Sequence, residues 1–272
     1  MSILDPYARL VPSRPWQFLY GLNPLAKIAA VLPAIVLLVF VRDLVTPAVF
    51  LVAAYAVLLI GARLTRMTAV LLFAIVPAAL AVIGLGFAVW VDPGQVAGTP
   101  VVWQWGVWQL HAGALQIGFA TSLRLGAILA LSLIGGLTTS GPDLVRASVQ
   151  HLRVPYRIGY TALAAFRFVP RFRHELGVIR AAHRVRGHHG GRGPFARVAR
   201  GWGYIVPLLA GAIRHAERVA LAMDARAFGA HPTRTERHLV PWRRRDTAFA
   251  AISIAASALL FWMLFPWGIA GA

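Results

Sequence analysis

Thr138-Thr139-Ser140-Gly141-Pro142-Asp143 marks the place where this chain changes character. Hydroxyl residues followed by Gly-Pro and an acid form a turn and helix-cap signature, because their oxygens satisfy the backbone N–H groups that the first turn of a helix leaves free. The stretch therefore ends one helix and starts another. Almost everything before it is apolar, and the hundred residues after it are rich in arginine.

Upstream, and again at the carboxyl end, the sequence is built for lipid. The chain is 58% hydrophobic and only 13% charged, whereas soluble domains run near half apolar and a quarter charged. A spanning helix needs about 20 mainly apolar residues, and five stretches qualify: 25–41, 44–60, 69–91, 113–137 and 248–267. Arg42-Asp43 leaves only a turn between the first two, so they pair antiparallel, with Pro33 and Pro47 bending or starting helices. Alanine and glycine recur through the spans, as at Gly84, Gly86, Gly135 and Gly136. Small residues let helices approach closely where lipid supplies no hydrophobic drive. Arg124 is the one charge deep in a predicted span. It is either a functional group or a side chain snorkelling toward Asp92 or Asp43.

The charge is lopsided: 27 Lys plus Arg against 9 Asp plus Glu, a formal net charge of +18, with Lys27 the only lysine. Twenty of the arginines lie between Arg146 and Arg245, with six acids between Asp143 and Asp246. Arg9, Arg14, Lys27, Arg63 and Arg66 flank the same ends of the first two spans as that block, while the other side receives only Arg42. The positive-inside rule then places residues 1–24 and 138–246 in the cytoplasm of a multi-pass protein of the cell inner membrane. It places the last span, within 247–272, with its carboxyl end outside. Residues 92–112 form the sizeable outer loop of the four-helix region 25–137, with Trp90, Trp103, Trp105 and Trp108 as interfacial anchors around a short strand or hairpin. Residues 1–17 are polar and broken by proline, unlike a secretory leader, so insertion is expected to rely on the spans. Zero cysteines exclude disulfides, thiolate metal sites and thiol catalysis.

Downstream of Asp143 three amphipathic helices are expected, at about 142–152, 155–185 and 196–226. Their apolar runs are too short to span and suit the membrane face. The run Gly187-His188-His189-Gly190-Gly191-Arg192-Gly193-Pro194 breaks the second helix just past Arg186, and Phe228-Gly229-Ala230-His231-Pro232 breaks the third just past Arg226. The fold class is thus an all-α integral membrane protein of about five spans, with a cytoplasmic set of long helices inserted before the last.

Several motifs resemble those of the transmembrane T component of energy-coupling factor transporters, the vitamin and metal-ion importers related to ATP-binding cassette systems. Leu22-Asn23-Pro24-Leu25-Ala26-Lys27 is similar to the family's Leu-Asp-Pro-Arg-x-Lys motif, so Asn23, Pro24 and Lys27 carry it. Thr138, Thr139 and Asp143 resemble its Thr-Thr…Asp segment, and Arg167 and Pro170 its Arg-Phe-Ile-Pro segment. Val185-Arg186-Gly187 and Ala225-Arg226-Ala227 resemble two Ala-Arg-Gly tripeptides at helix ends. Val185 replaces the alanine in the first, and Ala227 replaces the glycine in the second.

The resemblance implies that these two ends, the coupling elements, dock into two ABC ATPase subunits that bind ATP and Mg. It also implies that one small membrane-embedded S component binds substrate and packs against the same helices. Arginine suits the docking role because its fork of five donors matches carboxylates bidentately. Arg184 lies beside Arg186, and Asp224 either orients Arg226 or pairs with a nearby arginine.

An enzyme is not supported, since the sequence holds no nucleophile elbow, no phosphate loop with Lys and no apolar carboxylate pair. No directly bound cofactor or metal is expected, because His183, His188 and His189 lack nearby acids or cysteines. The alternatives are an ordinary importer permease or a basic membrane protein binding anionic lipid or nucleic acid. A permease would show polar groups lining the spans. The concentration of charge in one block beside apolar spans favours a membrane-face platform over nucleic acid.

Overall fold

The computed structural model describes residues 17–96, 98–105, 108–187 and 193–264. Its contacts divide the chain into two units, one comprising Leu10–Thr139 with Pro241–Ala272 and the other containing Ser140–Val240.

The first unit is a helical bundle. A 3₁₀ turn at Phe18–Gly21 leads into α1 (Pro24–Phe40) and α2 (Val45–Gly61). Then come α3 (Arg66–Trp90), α4 (Ala112–Thr138) and α8 (Arg244–Leu264), the three helices long and apolar enough to cross a membrane. At 17 residues each, α1 and α2 reach about 26 Å, close to the hydrocarbon thickness of about 30 Å. The last predicted span runs to Trp267, and residues 265–267 lie outside the described residues.

Inside α3 a π turn at Leu71–Ile75 precedes Pro77. Proline removes one backbone donor, and the loosened ladder absorbs the mismatch. Tyr55 helps by donating its hydroxyl to the Leu72 carbonyl at 2.9 Å.

Packing centres on α4, which touches α1, α2 and α3, while α8 packs on α1. Its buried face is largely small: Ala114, Gly118, Ala120, Ser122, Gly126, Ala127 and Ala130. Contact with α3 is backbone to backbone, since a Cβ at Gly118 would lie 2.3 Å from the Gly84 carbonyl oxygen. Close approach of this kind is how helices associate without a hydrophobic drive. Arg124 goes to neither expected carboxylate. It donates to the Val41 carbonyl at 2.9 Å, covering the carboxyl end of α1, where a helix leaves carbonyls free and favours a cation.

The connection between α3 and α4 contains an antiparallel ribbon, β1 (Val101–Trp105) and β2 (Trp108–His111), with a bulge between Val101 and Trp103. Trp90 and Trp103 are exposed, as interfacial anchors require.

The second unit contains α5 (Gly141–His151), α6 (Tyr156–Val185) and α7 (Pro194–Asp224). Ser140 and Asp143 form the expected cap: the Asp143 N–H donates to Ser140 Oγ, which donates back to the Asp143 carboxylate at 2.6 Å. The expectation that all three helices are amphipathic fails for α6. Its arginines at 157, 167, 171, 173, 180 and 184 fall around most of the circumference at 100° per residue, whereas α5 and α7 keep an apolar face.

Candidate functional site: two arginine-bearing helix ends

The paired helices α6 and α7 run antiparallel, as three contacts along them show. The His183 and Tyr204 rings lie 5.2 Å apart, Gly211 faces Glu175, and the Phe168 and His215 rings lie 4.5 Å apart. Residues late in one helix therefore meet residues early in the other. Arg186 follows the carboxyl end of α6, while Arg226 follows the carboxyl end of α7 beside the start of α6. The 30 residues of α6 separate the two arginines by about 45 Å at 1.5 Å per residue.

Both ends share one backbone feature, a left-handed residue past the helix whose N–H bonds back three residues. After α6 the Arg186 N–H donates to Ala182 O at 3.1 Å, and the Gly187 N–H donates to Arg184 O at 3.1 Å. Gly187 sits at φ +73°. After α7 the Ala227 N–H donates to Asp224 O at 2.9 Å, the Phe228 N–H donates to Met223 O at 3.0 Å, and Ala227 sits at φ +53°. After α7 the two bonds make the Schellman reversal, in which a left-handed residue lets the chain turn back onto the last free carbonyls; after α6 the left-handed residue and its bond to Arg184 O are shown, and His188 lies outside the described residues. Each arginine directly precedes the left-handed residue. Arg226 was expected inside the last turn of its helix, but α7 ends at Asp224, so Arg226 stands in the reversal itself. Alanine at position 227 reproduces the glycine conformation, at a cost of about 1 kcal/mol.

The side chains at both ends face water. Arg184, Val185, Arg186 and Gly187 are exposed, as are Asp224, Ala225, Arg226 and Ala227, and Val185 keeps 89% of its surface. Among the described residues the ion pairs are Arg146–Asp143 and Arg171–Glu175, and Asp224 pairs with no arginine among them. Among the described residues no carboxylate forms an ion pair with Arg186 or Arg226.

The surroundings of the two ends differ. Phe228 packs edge-on against Tyr156 at 5.8 Å and Tyr160 at 6.5 Å. The Tyr156 hydroxyl donates to His231 O at 2.6 Å, and the Arg157 guanidinium donates to Gly229 O. Tyr160 donates to Glu236 at 2.8 Å, and burial, followed by that acceptor, pushes its phenol pKa upward. This brace was not anticipated from the sequence, although Tyr156 and Tyr160 stand one turn apart at the start of α6.

A second constellation joins motifs that are far apart in sequence. Lys27, 1% exposed, donates to Thr138 O at 2.9 Å, Thr138 Oγ1 at 3.1 Å and Thr139 Oγ1 at 3.2 Å. A buried ammonium needs such partners for its three protons. Asn23 caps α1 by accepting from the Leu25 N–H at 3.0 Å, and Pro24 occupies the first helical position. The Asn23 N–H donates to Asp246 at 2.7 Å, and the other Asp246 oxygen accepts from the Arg243 N–H. The start of α1, the end of α4 and the start of α8 therefore meet at one face of the bundle. Asp246 is the member sequence reading missed; a carboxylate at the head of an apolar span was the available signal.

The remaining motif residues serve the second unit locally. Asp143 caps α5 and pairs with Arg146 at 2.9 Å. Arg167 and Pro170 are exposed in the middle of α6, which continues through the proline. His183 packs on Tyr204, while His188 and His189 lie outside the described residues. No cluster of three metal-ligating side chains occurs among the described residues.

The model of the CbiQ family, cobalt transport protein, matches residues 16–237. The energy-coupling factor transporter transmembrane protein EcfT of Limosilactobacillus fermentum is 31% identical over 190 residues, covering 66% of this chain and 70% of that relative. The protein of the same description from Staphylococcus aureus is 28% identical over 253 residues, covering 90% and 92%. That from Listeria innocua is 28% identical over 267 residues, covering 94% and 96%.

Proposed function

This chain belongs to the CbiQ family of cobalt transport proteins, and on that premise we propose that the two ends of the α6–α7 pair are its docking points for two ABC ATPase subunits. The chain is the transmembrane energy-coupling subunit of an energy-coupling factor transporter, the role its relatives carry in their names. It works in a complex with other subunits.

The observation that carries the docking assignment is the repeated geometry. Two exposed arginines, each fixed just before a left-handed residue, stand at opposite ends of one antiparallel pair. A guanidinium aimed from such an end makes charge-assisted bidentate bonds to a carboxylate across an interface. In this reading ATP and Mg are held by the ATPases, and their closure moves the two ends of a stiff helical pair.

A membrane-embedded S component is the third proposed partner. Phe195, Val198, Trp202, Val206, Leu209 and Ile213 are exposed on α7 and lie within about 80° of one another at 100° per residue. Such an uncovered apolar stripe suits a partner that is itself apolar. Residues 138–246 are assigned to the cytoplasmic side and the carboxyl end to the outside.

The test is co-purification of this chain with its partner ATPases and S component from membranes. With Arg186→Ala and Arg226→Ala, ATPase recovery is expected to fall; full recovery and full transport in both variants would overturn the assignment.

A further inference from the structure

Beside Arg226 lies a cleft of about 670 Å³, formed by the first half of α6, the end of α7 and the return segment 228–238. Its lining includes Arg146, Arg167, Arg226, Arg234 and Arg237, against the single carboxylate of Glu236. Two of these groups are already partnered. Arg146 is paired with Asp143 at 2.9 Å, and Glu236 is occupied by the Tyr160 hydroxyl at 2.8 Å. Arg234 lies over the Tyr160 ring, 4.2 Å from its centre, which orients the guanidinium without neutralising it. Neither Arg234 nor Arg237 forms an ion pair among the described residues. His215, also on the wall, has its pKa pushed down by burial and then by Arg171 and Arg218, with Glu175 opposing.

We propose that this cleft binds a phosphate-bearing anion, with Arg234 and Arg237 gripping its oxygens and the group attached to the phosphate lying against Tyr160 and Phe228. Phosphate fits better than a carboxylate because several guanidinium forks demand more acceptor oxygens than two. The volume falls in the range of small-molecule pockets, leaving room for an esterified group. Either a phospholipid headgroup or a free organic phosphate supplies that chemistry. Arg226 lines both this cleft and the proposed docking end, and it is left intact in the variants below so that the two readings fail separately.

The full chain, in nanodiscs of phosphatidylcholine alone or with phosphatidylglycerol, is treated with phenylglyoxal with and without inorganic pyrophosphate, and protection of Arg234 and Arg237 is read by mass spectrometry. Protection by pyrophosphate in phosphatidylcholine assigns the site to free phosphates. Protection only where phosphatidylglycerol is present assigns it to a headgroup. Calorimetric affinity for the protecting anion is expected to fall at least about tenfold in the Arg234→Gln, Arg237→Gln double variant. Glu236→Gln, which keeps an acceptor for Tyr160, is expected to tighten it about threefold or more, and tests the site even if the double variant misfolds. No protection by either anion, or an affinity unchanged in both variants, overturns the proposal.

Discussion

The Arg186 and Arg226 ends share a left-handed residue just past the arginine and are held in two different ways. At Arg186 the left-handed residue is glycine, no atom lies within 4 Å of where its Cβ would be, and the neighbouring side chains are exposed. At Arg226 the left-handed residue is Ala227, and the chain beyond it is held by Phe228 against Tyr156 and Tyr160 and by bonds from Tyr156 and Arg157. The first end relies on a residue with no conformational penalty, the second on tertiary contacts that outweigh one. An arginine at a helix end is thus positioned either by local backbone freedom or by remote packing, and the two should respond differently to mutation.

The largest effect that separates these cases from a shared role is loss of both arginines. The Arg186→Ala, Arg226→Ala double variant is expected to weaken ATPase binding by roughly a hundredfold or more, since truncating one partner of a desolvated charge pair costs about 2–5 kcal/mol. Isothermal titration of purified ATPases onto the chain in nanodiscs checks it, and near-normal affinity would remove the shared role. Next in size is Phe228→Ala, which removes the brace on one side only. It is expected to destabilise the Arg226 end by about 1–3 kcal/mol, seen as faster hydrogen exchange around 223–231 with no change at 182–187. Equal loosening of both ends would show that they are not held separately.

Smaller effects probe the turn residues. Gly187→Ala is expected to destabilise its end by about 1 kcal/mol, and Ala227→Gly to change stability by under about 1 kcal/mol, with strain relief offset by unfolded-state freedom. Exchange rates at the two reversals compare them, and a larger penalty at 227 than at 187 would refute the account of the brace. The smallest is a pH effect. Because burial and nearby cations depress the folded-state pKa of His215, its contribution to stability is present above the unfolded histidine range and is lost as pH falls through that range. The α6–α7 pair should therefore show lower amide protection, relative to the intrinsic exchange rate at each pH, under mildly acid conditions, and His215→Gln should flatten that dependence.

Much of this was legible before any geometry. Apolar length and arginine placement mark the five apolar helices, and glycine with proline marks the two breaks, because these signals are local. What stayed hidden was long range. Lys27 and Thr138 read as separate motifs because 111 positions divide them, and only the return of α4 to the start of α1 makes them one buried network. Asp246 joined it for the same reason. Ala227 read as a departure from the glycine pattern, since residue type alone does not reveal that packing of Phe228 holds a left-handed alanine. The arginines on opposite sides of α6 are visible in the sequence, and the apolar run at its start outweighs them in that reading.

The central claim is that each arginine end receives its own ATPase. Native mass spectrometry of complexes assembled without nucleotide counts ATPases per chain directly. Two are expected for the unaltered protein, one each for Arg186→Ala and Arg226→Ala, and none for the double variant. Two ATPases retained in both single variants and in the double variant would contradict it.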